Sequence, residues 1–192
     1  MNNQLYRERF ISAVDKSDEW RCSSENDFEP NPPRNTKVSH YLDVVHRFVD
    51  WWPANSAIRT QCALVHFRLW EALQAAGLPS IITIGDVAWD GDEPEFGTSY
   101  ESLAKEWRGE HAGTSVKTDL HVWLTLPDGE TIIDITVLPY FMRTLPADFD
   151  WKKRIHVADA MNCPHPIEHM PMLIGITFLF QSDAVEMPFT TV

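Results

Sequence analysis

Cys62, His121 and Asp134 are residues of the types that carry out nucleophilic acyl chemistry, and their surroundings suggest how they meet. Cys62 lies near the start of QCALVHFRLWEALQAA, a stretch with no Gly or Pro that ends at Gly77. This pattern predicts a helix with Thr60 as N-cap, Gln61 and Cys62 in the first turn, and Gly77 in a left-handed position past the end. Cys62, Val65, Leu69, Leu73 and Ala76 form one stripe, and Ala63, Phe67 and Trp70 widen it, so the helix is expected to be largely buried. A thiol in a first turn feels unpaired backbone N–H groups and the positive end of the helix dipole, and both favour thiolate. A free cysteine there also fits a purely structural role, because free cysteines are among the most buried residues.

His121 and Asp134 lie on two alternating segments. LHVWLTL (120–126) places Leu120, Val122, Leu124 and Leu126 on one face. TIIDITV (131–137) places Ile133, Ile135 and Val137 on one face, and PDGE (127–130) between them reads as a turn. Burying both apolar sets together sets Val122 opposite Ile135 and Leu124 opposite Ile133. His121 then lies opposite Thr136 and Trp123 opposite Asp134, which makes His121 and Asp134 diagonal neighbours. A carboxylate in so apolar a strand needs a partner, and His121 is the nearest.

Together these residues form a nucleophile, a base and an orienting carboxylate. Cys62 would attack a carbonyl carbon. His121 would take the thiol proton and later protonate the leaving amine. Asp134 would fix the tautomer of the ring and stabilise its imidazolium form.

The order Cys, His, Asp on helix, strand and strand resembles the transglutaminase-like superfamily of papain-type folds. Its members show Cys, a buried helix, a Gly-Ile-Pro-like stop, a strand and a Gly. Here Cys62 is followed by Gly77-Leu78-Pro79, SIITI and Gly85. The second block resembles His-Ala-Trp, strand, turn, strand, Asp-Pro-Thr. Here it reads His121-Val122-Trp123, LTL, PDGE, TII and Asp134-Ile135-Thr136, with Val122 and Ile135 as the departures. The resemblance spans 55–140. It extends to peptidases that remove leader peptides from lasso-peptide precursors, and more distantly to arylamine N-acetyltransferases, although Arg59-Thr60-Gln61-Cys62 departs from the latter's Arg-Gly-Gly-x-Cys. It implies an α+β fold with a papain-like core: an antiparallel sheet packed against a buried helix that carries the cysteine at its N-terminus. It also implies acyl transfer through a thioester, without a cofactor. Water as acceptor gives a peptidase, amidase or deamidase, the favoured reading because the chain is acidic without a calcium-like acidic loop signature; an amine gives a transamidase or acyltransferase as the alternative. A catalytically idle module binding a peptide or protein on the same fold is the alternative of a different class.

The Cys62 backbone N–H is one natural oxyanion donor. Asn55, just upstream, is the favoured second donor, with Gln61, Trp51 and Trp52 as alternatives. Residues 88–119 read as a long irregular insert between the two site segments, a place where substrate selection often resides. Asp90, Asp92, Glu93, Glu95 and Glu101 make its first half acidic, which suits a basic peptide or amine and equally a solvated loop. His111 in this insert has no evident partner. Cys163, His165 and His169, in CPHPIEH, form a weaker alternative as metal ligands that Cys22 would complete. Loop histidines are the simpler reading, and no metal is expected. Cys22, in the polar stretch WRCSSEN, reads as exposed.

The rest of the chain frames these segments. A length of 192 residues with 44% hydrophobic and 23% charged composition fits one domain, 1–192. Residues 1–36 read as polar and irregular toward their end, and 23–36, with its acids and prolines, as a loop or arm. Tyr41, Val44, Val45, Phe48 and Val49 give 37–52 helical spacing, which Pro53 stops. Beyond 138, Pro-rich loops flank one strand, Leu173 to Phe180. A formal charge of −12 argues against nucleic acid and anionic membranes as partners. No apolar run approaches membrane-spanning length, and the N-terminus lacks the pattern of a secretory signal. Three cysteines make no disulfide framework, so the expected compartment is the cytoplasm. The acyl chemistry that the resemblance implies makes a peptide or protein substrate the expected partner.

Overall fold

A computed structural model describes residues 3–23, 37–51, 61–110, 120–141, 155–159 and 166–185. Helices α1 (Asn3–Trp20), α2 (Val38–Trp51) and α3 (Cys62–Ala75) come first in the chain. Strands β1 (Ile81–Trp89), β2 (His121–Thr125), β3 (Thr131–Asp134), β4 (His156–Asp159) and β5 (Ile167–Ile174) follow. Shorter helices α4 (Tyr100–Trp107), α5 (Val137–Phe141) and α6 (Ile176–Gln181) are set between and after them. The fold is α+β. The strands form one antiparallel sheet in the order β4-β3-β2-β1-β5. No helix among the described residues is long and apolar enough to cross a membrane.

Alternation along the strands gives the sheet two apolar faces. One face buries Ile82, Ile84, Val122, Leu124, Ile133 and Leu173 with Val65, Leu69 and Leu73 of α3 and the apolar stripe of α2. The other buries Ile81, Trp123, Ile132 and Ile174 with Tyr6, Phe10 and Ala13 of α1. The Cys62 helix therefore lies on one side of the sheet and α1 on the other. The end of α3 follows from its sequence: Gly77 takes φ +71°, and the Gly77 and Leu78 N–H groups bond back to Gln74 and Leu73.

The sheet is strongly curled. β4 and β5 lie at opposite ends of the strand order, yet the His156 and His169 rings stack at 5.3 Å and 25°. Strand twist supplies part of this curvature. A register shift between Ile84 and Gly85, where β1 pairs with β5, adds a local bend.

The hairpin register is the one expected from the sequence, with Leu124 opposite Ile133. Its second strand is shorter than the expected 131–137. It stops at Asp134, whose carboxylate takes the N–H groups of Thr136 and Val137 and starts α5. Other expectations are corrected. The irregular insert 88–119 contains the end of β1 and all of α4, which Ser99 and Ser102 open with a reciprocal cap. The expected strand from Leu173 to Phe180 is in fact β5 ending at Ile174, a turn at Gly175 with φ 104°, and α6. Most of 1–23 is helix α1, whose Tyr6, Phe10, Ala13 and Ser17 line up on one buried stripe. Ala76 is exposed and Gln61, not Thr60, is the N-cap residue of α3. Thr60 and 24–36 lie outside the described residues.

Candidate active site

Asp134 organises the site. It is the last residue of β3, so its carboxylate reaches the backbone N–H groups of the chain that follows. Oδ1 accepts the N–H of Thr136 at 2.9 Å, the N–H of Val137 at 3.0 Å and the Thr136 hydroxyl at 3.2 Å. Oδ2 accepts Nε2–H of His121 at 2.7 Å and Nε2–H of His169 at 2.9 Å. The residue is fully buried. Burial opposes its charge, but the His121 charge and the hydrogen bonds of both rings hold the carboxyl well below the usual carboxylate range.

His121 begins β2 and is 2% exposed. Because Nε2 is committed to Asp134, Nδ1 is the nitrogen left for Cys62. Burial disfavours a charged ring here. The Asp134 charge and hydrogen bond, with the Cys62 side chain as a further partner, outweigh burial and raise the ring from 6.5 to about 10. The Cys62 thiol is half-buried at the first position of α3 and lies 3.8 Å from the carbonyl oxygen of Leu120, the neighbour of His121. The structure thus brings Cys62, His121 and Asp134 into one line of contacts, with the imidazole in the middle.

His66, one turn after Cys62, ties the helix to this centre. Its Nδ1–H donates to the Cys62 carbonyl at 3.0 Å, and its Nε2 accepts the Ile135 N–H at 3.2 Å. These roles fix a neutral tautomer. Burial agrees, pushing the ring down to about 4 despite the nearby Asp134 charge. The 3.5 Å approach of His66 Nε2 to Asp134 Oδ1 is therefore a contact with a neutral ring, not an ion pair.

Two aromatic rings flank His121. Trp123 lies 5.9 Å away at 24°, and Phe96 lies 5.6 Å away at 11°. α1 fixes the tryptophan: Trp123 Nε1–H donates to the Tyr6 hydroxyl at 3.0 Å, which contacts the Thr125 hydroxyl at 2.7 Å. Asp86 of β1 fixes the phenylalanine. Its carboxylate accepts the N–H groups of Val87, Phe96 and Thr98 at 2.7, 3.0 and 2.8 Å, folding the 90–98 loop back over the strand end. The loop acids Asp90, Asp92, Glu93 and Glu95 are exposed, and Glu95 accepts the Tyr140 hydroxyl at 2.9 Å.

Other expectations fare differently. Asn55, Trp52, His111, Cys163 and His165 lie outside the described residues. Trp51, the last residue of α2, and Gln61 are both exposed. Cys22 is fully buried rather than exposed; burial pushes its thiol up to about 11, and its S–H points to the Ser17 carbonyl at 3.6 Å. His169 belongs to the Asp134 centre and not to a loop. The sequence offers His169 only as a loop histidine or metal ligand, and nothing in it places His169 or His66 at Asp134. The signal for His66 was its position four residues after Cys62, on the side of the helix that the cysteine occupies.

His121, Asp134 and His169 are also the residues whose donor atoms converge to within 4.8 Å of one another. Their separations of 2.7 and 2.9 Å are hydrogen-bond lengths. Donors around a tetrahedral ion with bonds of ~2.0–2.1 Å stand about 3.3 Å apart. The cluster is bridged by protons, one from each ring to Asp134 Oδ2. No family model, curated protein or solved structure matches this chain.

Proposed function

We propose that this protein is a cysteine-nucleophile acyl-transfer enzyme of the transglutaminase-like, papain-type kind, acting on a peptide or amide bond with water as the acceptor. The observation that carries the reading is the His121 ring, partnered by the Cys62 side chain and held at Nε2 by a buried carboxylate. A histidine of this kind is protonated at neutral pH and forms the counter-ion of a thiolate.

In this reading the Cys62 sulfur attacks the carbonyl carbon and forms a C–S bond. The developing oxyanion meets the Cys62 backbone N–H, one of the first-turn donors that have no partner within the helix. His121 gives its proton to the amine nitrogen as the C–N bond breaks, leaving a thioester and a free amine. Water then attacks the thioester, His121 takes its proton, and the acid leaves with the thiolate restored. Asp134 stays ionised throughout and keeps the ring in place. The exposed acids of the 90–95 segment would favour a basic substrate.

The test is iodoacetamide alkylation of each cysteine against pH, read by mass spectrometry, in the wild type, His121→Ala and Asp134→Asn. Labelling of Cys62 well below pH 8, slowed at least tenfold in both variants, supports the enzyme and directs a screen of peptide and amide substrates with and without added amine. Labelling unaffected by either variant would remove the triad and favour the binding module.

A further inference from the structure

We propose that His169 is a positioning residue for the Asp134 carboxylate: its Nε2–H is the second donor on Oδ2 and keeps that oxygen in line with Nε2 of His121. The proposal rests on the triad reading of Cys62, His121 and Asp134.

The argument begins with what His169 does in the fold. It is fully buried on β5, between the Trp123 ring at 5.0 Å and the His156 ring at 5.3 Å. Burying an imidazole costs free energy unless it forms hydrogen bonds. Its Nδ1 has no hydrogen-bond partner among the described residues, so the 2.9 Å bond to Asp134 compensates the whole ring. An apolar residue would fill the same space without that bare nitrogen. What the imidazole adds is the donor on Oδ2.

The geometry explains why a second donor matters. The backbone of Thr136 and Val137 holds only Oδ1. With one oxygen anchored, the carboxylate can still tilt about it. Two rings from strands that are not adjacent, β2 and β5, meet at Oδ2 and remove that freedom. The sheet curl is what brings β5 within reach.

The charge of the donor matters as well. The groups facing Asp134 are His66 from α3, His121 from β2, His156 from β4 and His169 from β5, with Tyr6 of α1 and Cys62 of α3 in the wider surroundings. Burial keeps His169 neutral, and the adjacent His121 charge adds to that effect. A neutral N–H supports the anion without setting a second positive charge beside the imidazolium. A lysine or arginine there would compete with His121 for the carboxylate.

Two measurements test this. The first is nitrogen-15 NMR of histidine-labelled wild-type protein at neutral pH. His169 is expected as a neutral ring protonated at Nε2 with a bare Nδ1; a charged ring or the Nδ1–H tautomer overturns the proposal. This readout needs no variant and stands whether or not Cys62 proves reactive, so failure of the triad reading and failure of this proposal are told apart. The second is the Cys62 alkylation profile in His169→Leu and His169→Gln, with folding checked by circular dichroism. Leucine removes the donor, and glutamine places an amide N–H near the Nε2 position. In His169→Leu the acid limb of the profile is expected to move toward neutral pH, slowing labelling about tenfold at pH 6, and His169→Gln to restore most of it. A purely structural role predicts an equal loss at every pH with no recovery in glutamine, and that pattern would sink the idea. Stoichiometric zinc binding by the wild type, lost in His169→Gln, would equally overturn it by making the residue a metal ligand.

Discussion

The His66 ring bonds to the carbonyl of Cys62 one turn before it and, through its other nitrogen, to the N–H of Ile135. The helix that carries the thiol is thereby stapled to the strand end that carries Asp134. His66→Phe keeps the volume but leaves a buried N–H without its acceptor. The expected loss is about 2 kcal/mol, within the range for an orphaned buried donor. Urea unfolding measures it, and a loss below about 0.5 kcal/mol would mean that the staple carries no weight.

Stability should vary with pH on both sides of a maximum. His66 is held at about 4, below its ordinary 6.5, so protons favour the unfolded chain and stability falls as pH drops from 6.5 toward 4. The difference corresponds to about 3 kcal/mol for this ring. His121 behaves in the opposite sense. Raised to about 10, its contribution is complete below 6.5 and is lost as pH rises through 10. The two windows meet near pH 6.5, where the urea midpoint is expected to peak. His66→Phe should flatten the acid side of that curve and spare the alkaline side. A profile unchanged by the substitution would contradict the assignment.

Gly85 stands opposite His121 on β2 and opposite Pro171 on β5. A Cβ there would come within 2.1 Å of the Met170 carbonyl oxygen and 3.0 Å of the Trp123 ring. The oxygen belongs to the backbone and cannot move aside without parting β1 from β5. Gly85→Ala is expected to cost about 3 kcal/mol. Thermal unfolding would show it, and a melting temperature within a degree of wild type would refute the close approach.

Asp86 holds the 90–98 loop through backbone groups, so its removal should act locally. In Asp86→Ala the amides of Phe96 and Thr98 lose their acceptor, and hydrogen exchange at both should quicken at least tenfold while β2 and β3 stay protected. Freeing Phe96 also uncovers one face of His121. Faster exchange spread evenly over the sheet would instead mark Asp86 as a global support.

Legibility in the sequence followed locality. The Leu124–Ile133 register was readable because strict alternation and a short turn leave few ways to bury both apolar sets. The meeting of His121 and Asp134 followed from that register. The Val65, Leu69 and Leu73 stripe of α3 and its Gly77 stop were readable from spacing alone, as was α2, whereas Ala76 at the end of that stripe is exposed. His169 was not readable, since it reaches Asp134 only through the curl of the whole sheet, and no short pattern encodes that. α1 was obscured because its buried stripe includes Ala13 and Ser17, which carry little hydrophobic signal. β3 seemed longer than it is because Ile135 and Val137 continue the alternation after Asp134 has turned the chain. Cys22 misled through its polar neighbours, since its burial comes from the α1 end packing on the core.

The contacts between α1 and β5 bear on how the protein is made. Ser17 bonds to the Ile174 N–H across 157 positions, and Arg9 pairs with Glu168 across 159. A ribosome releases α1 long before it releases β5. Until then, α1 has no Ile174 to pack against and Asp134 has no second imidazole. Cys62 and Asp134 are thus translated before His169, whose ring reaches the Asp134 carboxylate from β5, the last of the described strands. Long-range closure of this kind slows folding. It also leaves the Asp134 centre incomplete until β5 has joined the sheet.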